Sequence, residues 1–262
     1  MSAVPQADPF VLRQVAAGIC TLTMNRPAQM NLLTGEMLAA LQSALEGIAN
    51  DEQVRVVILA AAGKGFCAGH DLKEIRALKD QPKIERLFAQ CSRTMQTITA
   101  LPQPVIARVQ GAAAAAGCQL VAQCDLAVAS EAARFTTPGV TWGFFCSTPG
   151  VAVGRNISRK RAMEMLLTGD LIDAHKALEW GLVNRVVPAP SLEEETLRLA
   201  RQIAEKPPAT TAAGKRAFYQ QMDLGIAKAY ELASQVISSS FAGAEGRAGM
   251  DAFIDKRPPP KH

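Results

Sequence analysis

Two glycine- and alanine-rich segments are the strongest candidates for chemistry. Gly65 to His70 ("GFCAGH") follows the apolar run "VRVVILAA", and Gly111 to Gly117 ("GAAAAAG") follows "PVIARVQ". Each reads as a loop leading from a buried strand toward a helix. A helix start carries N–H groups without intrahelical partners and a partial positive charge. Two such N–H groups aimed at one point would form an oxyanion hole for a carbonyl oxygen that gains charge during reaction. Close approach of a substrate needs small side chains, and Ala114-Ala115-Ala116-Gly117 supplies them. A helix packed tightly on a sheet would use the same composition, so both readings stand at this point.

Other reactive residues are sparse. His70 is the only one of three histidines in either segment. Its imidazole either titrates near neutrality at the site or bonds a neighbour. Cys146 has no activating group nearby in sequence, which favours inert packing. His175 falls on a predicted surface helix and reads as solvated. Gly63 to Ala68 fits the dinucleotide pattern G-x-G-x-x-A, but it follows a hairpin and a helix rather than opening the fold. The charged helical stretch "KEIRALKDQPKIERLFAQ" stands where a second strand and its acidic residue should be. The six cysteines form no Cys-x-x-Cys pair and read as reduced core thiols. No metal site and no tightly bound cofactor are expected.

The elements that must position these loops follow from periodicity. "FVLRQVAAGICTLTMNRP" predicts a hairpin broken at Ala17-Gly18 and closed by Pro27. Met37, Leu38, Leu41, Leu45 and Ile48 recur at helical spacing behind a Thr34 N-cap. "VRVVILAA", "PVIARVQG" and "DLAVAS" predict buried strands, so strand–helix–strand units recur. That pattern argues for an α/β fold with largely parallel pairing. The last third is helical: "SRKRAMEMLLTGD", "DAHKALEWGL", "SLEEETLRLARQIAEK" and the stretch 210–241, with Pro207-Pro208 as a breaker. "RPPPKH" reads as a solvated tail. Of the 262 residues, 48% are hydrophobic and 20% charged, which favours a sizeable core over disorder. The net charge of +4 suits an anionic ligand and is too small to argue for nucleic acid. "MSAVPQADPF" has neither a secretory signal pattern nor a membrane-spanning run, and a cytoplasmic location follows by elimination.

"FCAGHDLKEI", "PVIARVQGAAAAAGCQLVAQCDLAVAS", "FTTPGV" and "AMEMLLTGDLIDAHKALEWGLVNRVV" together resemble the enoyl-CoA hydratase/isomerase (crotonase) superfamily. The resemblance runs in order from Asn25 to "FIDKR" near the end. The alanine-rich loop, "GHDLKE" and "FCSTPGVA" are most similar to the enoyl-CoA hydratase domain-containing protein 3 branch. The resemblance implies a crotonase-like spiral of ββα units over residues 1–195. It also implies a C-terminal helical region, 196–262, that trimerises, often as a dimer of trimers. The ligand implied is a CoA thioester, as substrate or as bound ligand. The oxyanion-hole N–H groups fall on His70 and Ala116. Ala68, Asp71 and Leu72 match the backbone that holds the adenine of CoA, and Gln29 and Met30 border the same ligand. Phe253 and Lys256 match positions that meet the CoA of a neighbouring subunit. Asp125 matches a structural position at a strand start.

The chain departs from the family's hydratases at the two residues that handle the proton and water. Gln119 replaces the glutamate of "GCEL", and Gly139 replaces that of a "PE" stretch. Gln119 can orient a water but cannot take its proton, and Gly139 can do neither. "FFCSTPG" is also longer than the turn usual before "PG", and it lies where an acyl chain would go. Three functions remain: a CoA-thioester enzyme that stabilises an enolate with other groups moving protons, a non-catalytic acyl-CoA-binding protein, and, last, an RNA-binding relative using "RNISRKR". Hydratase activity is expected to be weak or absent. Glutamate at both positions should raise it, provided the backbone at Gly139 accepts a side chain.

Overall fold

The computed structural model describes residues 8–260. The sequence reading of residues 1–7, and of Lys261 and His262 at the tail, lies outside the described residues. Strands β1 (Val11–Ala16) and β2 (Ile19–Met24) form the expected hairpin. Its two-residue turn places Ala17 at φ 50° and Gly18 at φ 76°, the primed geometry that matches strand twist. Helix α1 (Gly35–Ala49) starts where Thr34 accepts a hydrogen bond from the Met37 N–H at 3.1 Å, and it buries the predicted apolar stripe.

The remaining strands are β3 (Val56–Ala61), β4 (Val105–Val109), β5 (Ala112–Ala114), β6 (Leu126–Ser130), β7 (Arg134–Thr136), β8 (Ile172–Asp173) and β9 (Arg185–Val187). One sheet has the order β1-β2-β3-β4-β6-β9 and is parallel except at the hairpin. A second, of β5, β7 and β8, runs beside it. Consecutive strands therefore divide between two sheets, β4 then β5 and β6 then β7, each pair followed by a helix. This is the expected α/β spiral of ββα units. The alanine run differs from the loop reading. Ala112 to Ala114 pair with Arg134 to Thr136, and the bare backbone becomes a strand.

The helices between and beyond the strands are α2 (Leu72–Leu78), α3 (Gln81–Ala100), α4 (Ala116–Gln123), α5 (Ser147–Asn156), α6 (Arg159–Thr168), α7 (Ala174–Trp180), α8 (Leu192–Ala204), α9 (Pro208–Met222), α10 (Ile226–Ala242) and α11 (Ala244–Ile254). The predicted single stretch 210–241 is two helices, because Asp223 to Gly225 break it, and α11 was not separately legible. The two faces of the large sheet bury separate cores. Leu22, Val57 and Leu59 face α1 and α3, whereas Val56, Ile58 and Ile106 pack against Leu192, Leu199 and Ala200 of α8. This alternation is the period-2 signature of a strand covered on both sides. Helix α8 crosses residue 195, so a division there cuts a helix that covers the sheet.

Asp125 has the structural role expected of it. Its carboxylate accepts from the Val105 N–H, Lys215 Nζ and Tyr219 OH, each at 2.7 Å. Lys215 also donates to the Ile98 and Gln103 carbonyls at 2.9 Å. These bonds tie α9 to the end of α3 and to β4 through a buried ion pair.

Candidate functional site: two amides beside an apolar cavity

The loop after β3 and the start of α4 are brought into direct contact. The Phe66 and Cys67 N–H groups donate to the Ala112 carbonyl at 2.9 and 3.1 Å, and the Ala114 N–H donates to the Cys67 carbonyl at 2.9 Å. A Cβ on Gly117 would lie 2.1 Å from the Cys67 oxygen, so any larger residue would force the segments apart. Gly69 has φ 92°, and a Cβ there would meet the Ala114 oxygen at 3.0 Å and the Ala116 nitrogen at 3.3 Å. Both the open conformation and the close approach require glycine.

Each loop turns sharply just before its candidate amide. Gly69 at φ 92° precedes His70, and Ala115 at φ 49°, ψ −116° precedes Ala116. A non-glycine residue in that region is strained, and such strain persists only where the surroundings fix it. Here the Ala115 N–H is held by the Thr136 carbonyl at 2.9 Å. Among the described residues, neither the His70 N–H nor the Ala116 N–H has an acceptor. Ala116 is the first residue of α4, where an orphan N–H and the positive end of the helix coincide.

Both residues line a cavity of roughly 810 Å³. Its near wall is Ala68, His70, Asp71, Leu72 and Lys73, at the start of α2. Its far wall is the segment 138–149, including Gly139, Trp142, Phe144, Phe145 and Cys146, with Phe88 of α3 also lining it. Trp142 is 71% exposed and Phe144 and Phe145 are near half, so the far rim is aromatic and open. Asp71 is the one carboxylate in the lining of the described cavity, and it caps α2 by accepting from the Lys73 N–H at 2.8 Å.

The predicted residues divide accordingly. Ala68, His70, Asp71, Leu72, Ala116 and Gly139 share the cavity. Gln119 lies one turn along α4 from Ala116, is buried, and has an Oε1 without a partner among the described residues, but it does not line the cavity. Gln29 and Met30 sit behind the near wall, where the Met30 carbonyl accepts from the Ala68 N–H at 3.0 Å. Phe253 is 86% exposed and helps line a separate apolar groove between α10 and α11; Lys256 follows α11. Within one chain neither reaches the cavity. His175 is exposed on α7, as expected.

The His70 imidazole bonds a neighbour: Nδ1 lies 3.1 Å from the Leu33 carbonyl. Burial holds its pKa below the usual histidine value, with that bond opposing the shift. Cys146 lines the cavity rather than only packing. Burial pushes its thiol up, eased by the Gly139 N–H that points at Sγ from 3.3 Å. At Gly139 the obstacle to a glutamate is steric, since its φ is not left-handed. A Cβ would lie 2.6 Å from the Phe144 oxygen and 2.8 Å from Cys146 Sγ. The segment "FFCS" fills the place a second carboxylate would need. Sequence reading missed Phe88 and Leu33, which carry no chemical signal and reach the site only through tertiary packing. Among the described residues no group of three or more His, Cys, Asp or Glu could hold a metal, and no helix is long and apolar enough to cross a membrane.

The enoyl-CoA hydratase/isomerase family model matches residues 14–261. Enoyl-CoA hydratase domain-containing protein 3 of Xenopus laevis is 45% identical over 254 residues, covering 97% of this chain and 86% of that one. A crystal structure of an enoyl-CoA hydratase from Mycobacterium smegmatis superimposes with a TM-score of 0.94 at 49% identity, covering 97% and 99% of the two chains. The human enoyl-CoA hydratase domain-containing protein 3 structure gives 0.90 at 42%, covering 96% and 99%. The cytoplasmic expectation is corrected by these relatives. The Xenopus protein and its rat, mouse and human counterparts are named mitochondrial, and absence of a recognised signal pattern was no ground for a cytoplasmic assignment. Model match, sequence identity and shared fold agree: the chain belongs to the enoyl-CoA hydratase/isomerase family.

Proposed function

We propose that this protein binds CoA thioesters in the cavity and polarises the thioester carbonyl with the His70 and Ala116 amides. The observation that carries the reading is the pair of N–H groups, unpartnered among the described residues, each directly after a positive-φ residue, one in the loop after β3 and one at the start of α4. Fixed donors of this kind stabilise an enolate or a tetrahedral oxyanion without reorganising. The CoA would run along Gln29, Met30, Ala68, Asp71 and Leu72. Its acyl group would point to the aromatic segment 138–149. With Gln119 and Gly139 in place of carboxylates, hydration of an enoyl thioester is slow. Isomerisation, hydrolysis or decarboxylation through the same oxyanion are the reactions to test. The assembly is a trimer or a dimer of trimers, in which Phe253 and Lys256 approach a neighbour's CoA.

A second reading, acyl-CoA binding without turnover, is favoured by one observation. Asp71, the one carboxylate lining the cavity among the described residues, is engaged as a helix cap. A panel of acetyl-, crotonyl- and longer acyl-CoA esters, followed in parallel by calorimetry and by product analysis, separates the two. Binding with turnover supports the enzyme, and binding alone supports the second reading. Folded protein that gives no heat and no competition across the panel overturns both.

A further inference from the structure

The His70 side chain makes a bond that the oxyanion-hole reading does not use. The segment 30–33 is a rigid anchor: the Asn31 side-chain amide donates to the Ala62 carbonyl at 2.9 Å and accepts from the Arg26 N–H at 2.9 Å. Leu33 is fully buried and directly precedes the cap of α1. The loop 65–70 is fastened to this anchor at four points. Ala68 donates to the Met30 carbonyl at 3.0 Å, and Leu33 donates to the Gly69 carbonyl at 2.8 Å. The Asn31 side-chain amide donates to the Gly65 carbonyl at 3.3 Å, and the bond from a side chain of the loop itself, among the described residues, is His70 Nδ1 to the Leu33 carbonyl at 3.1 Å. Gly69 is a hinge by composition, so two bonds to one residue, one on the carbonyl of the 69–70 peptide and one from the His70 side chain that follows it, restrict the freedom its missing Cβ allows. That peptide carries the His70 N–H.

We propose that the His70 imidazole is a positioning residue: by donating from Nδ1 to the Leu33 carbonyl, it fixes the direction of the His70 amide N–H at the cavity. A carbonyl can only accept, so the bond also fixes the Nδ1–H tautomer. Nε2 is buried and has no partner among the described residues. A proton carrier would present that nitrogen to the ligand; here it is closed off. The edge-to-face packing of the ring on Phe88, with centroids 4.9 Å apart, holds the imidazole in the orientation the bond needs. The inference rests on the proposed function, because it assigns a task to the His70 amide.

The test uses acetoacetyl-CoA, whose bound enolate has its own absorbance, with the full chain and three variants. Asparagine places its amide nitrogen as many bonds from Cβ as Nδ1, and glutamine as many as Nε2. His70→Asn should recover most of the wild-type enolate signal at saturating ligand. His70→Ala and His70→Gln should lose about tenfold, a fraction of what one oxyanion-hole donor contributes, while calorimetric affinity changes less. A wild-type signal left intact by His70→Ala overturns the inference alone, as does recovery by glutamine instead of asparagine. Binding with no enolate signal in the wild type removes the oxyanion-hole reading and the inference with it. If His70→Ala fails to fold by circular dichroism, the asparagine–glutamine pair decides.

Discussion

Replacing Gly139 by glutamate restores the second hydratase carboxylate in sequence but not in space. The new Cβ would lie 2.6 Å from the Phe144 oxygen, 2.8 Å from Cys146 Sγ and 3.0 Å from Phe144 Cδ2. The first of these is backbone and cannot rotate away. Phe144 is tied back by its own N–H, which donates to the Gly139 carbonyl at 3.1 Å. Relief means moving residues 144–146 together and losing that bond. Overpacking of this kind costs about 1–3 kcal/mol, and each kcal/mol lowers Tm by about 2–4 °C in a domain of similar size. A fall of roughly 2–12 °C is expected for Gly139→Glu. Gly139→Ala should show most of it, because the clash begins at Cβ. A well-placed acid or base contributes a factor of about 10²–10⁴, yet crotonyl-CoA hydration should not rise in Gly139→Glu or in the double variant with Gln119→Glu. The assay is loss of the enoyl absorbance, with melting followed by circular dichroism. Unchanged melting of both Gly139 variants, together with a hydration gain in the double, would refute the steric reasoning.

Lys215→Met leaves Asp125 buried without its cation, and breaking such a pair costs about 3–5 kcal/mol; denaturant titration should show a loss of that size, and one below about 1 kcal/mol would contradict the network's role. Because burial holds the His70 pKa below 6.5, the unfolded chain binds this proton first as pH falls, so stability should decline below pH 6.5 and be flat just above it. His70→Asn should flatten that acid limb, which melting curves across the range will read. Trp142→Ser and Phe145→Ser remove apolar wall at the open rim, so affinity for longer acyl-CoA esters should drop while acetyl-CoA binding is little changed; equal losses for both ligands would show that the rim does not meet the acyl chain.

Much of the frame was legible because it depends on local periodicity. The stripe Met37, Leu38, Leu41, Leu45 and Ile48, the Thr34 cap and the Ala17-Gly18 turn all came out as read. The loops were recognisable through small residues that only close backbone approach explains. Their internal form was not. Ala112 to Ala114 are a strand because Arg134 to Thr136 lie alongside, a pairing that alanine side chains do not advertise. The absent carboxylates were visible, but the filling of the space at Gly139 by Phe144 and Cys146 depends on how residues 138–147 fold back. The His70–Leu33 bond joins positions 37 residues apart, and nothing about leucine marks its carbonyl as an acceptor. The break at Asp223 to Gly225 was readable from its glycine, and the long apolar pattern on either side masked it.

The central claim is that a thioester carbonyl sits between the His70 and Ala116 amides. It is tested most directly by the infrared spectrum of a bound acyl-CoA carrying carbon-13 at the thioester carbonyl. Two donors on one oxygen weaken the C=O bond. The carbonyl stretch of the bound ligand should shift to lower frequency than in free ligand. The shift should be largely lost in Gly69→Ala, where the added Cβ would press on the Ala116 nitrogen from 3.3 Å. A bound carbonyl at the free-ligand frequency in the wild type would contradict the claim.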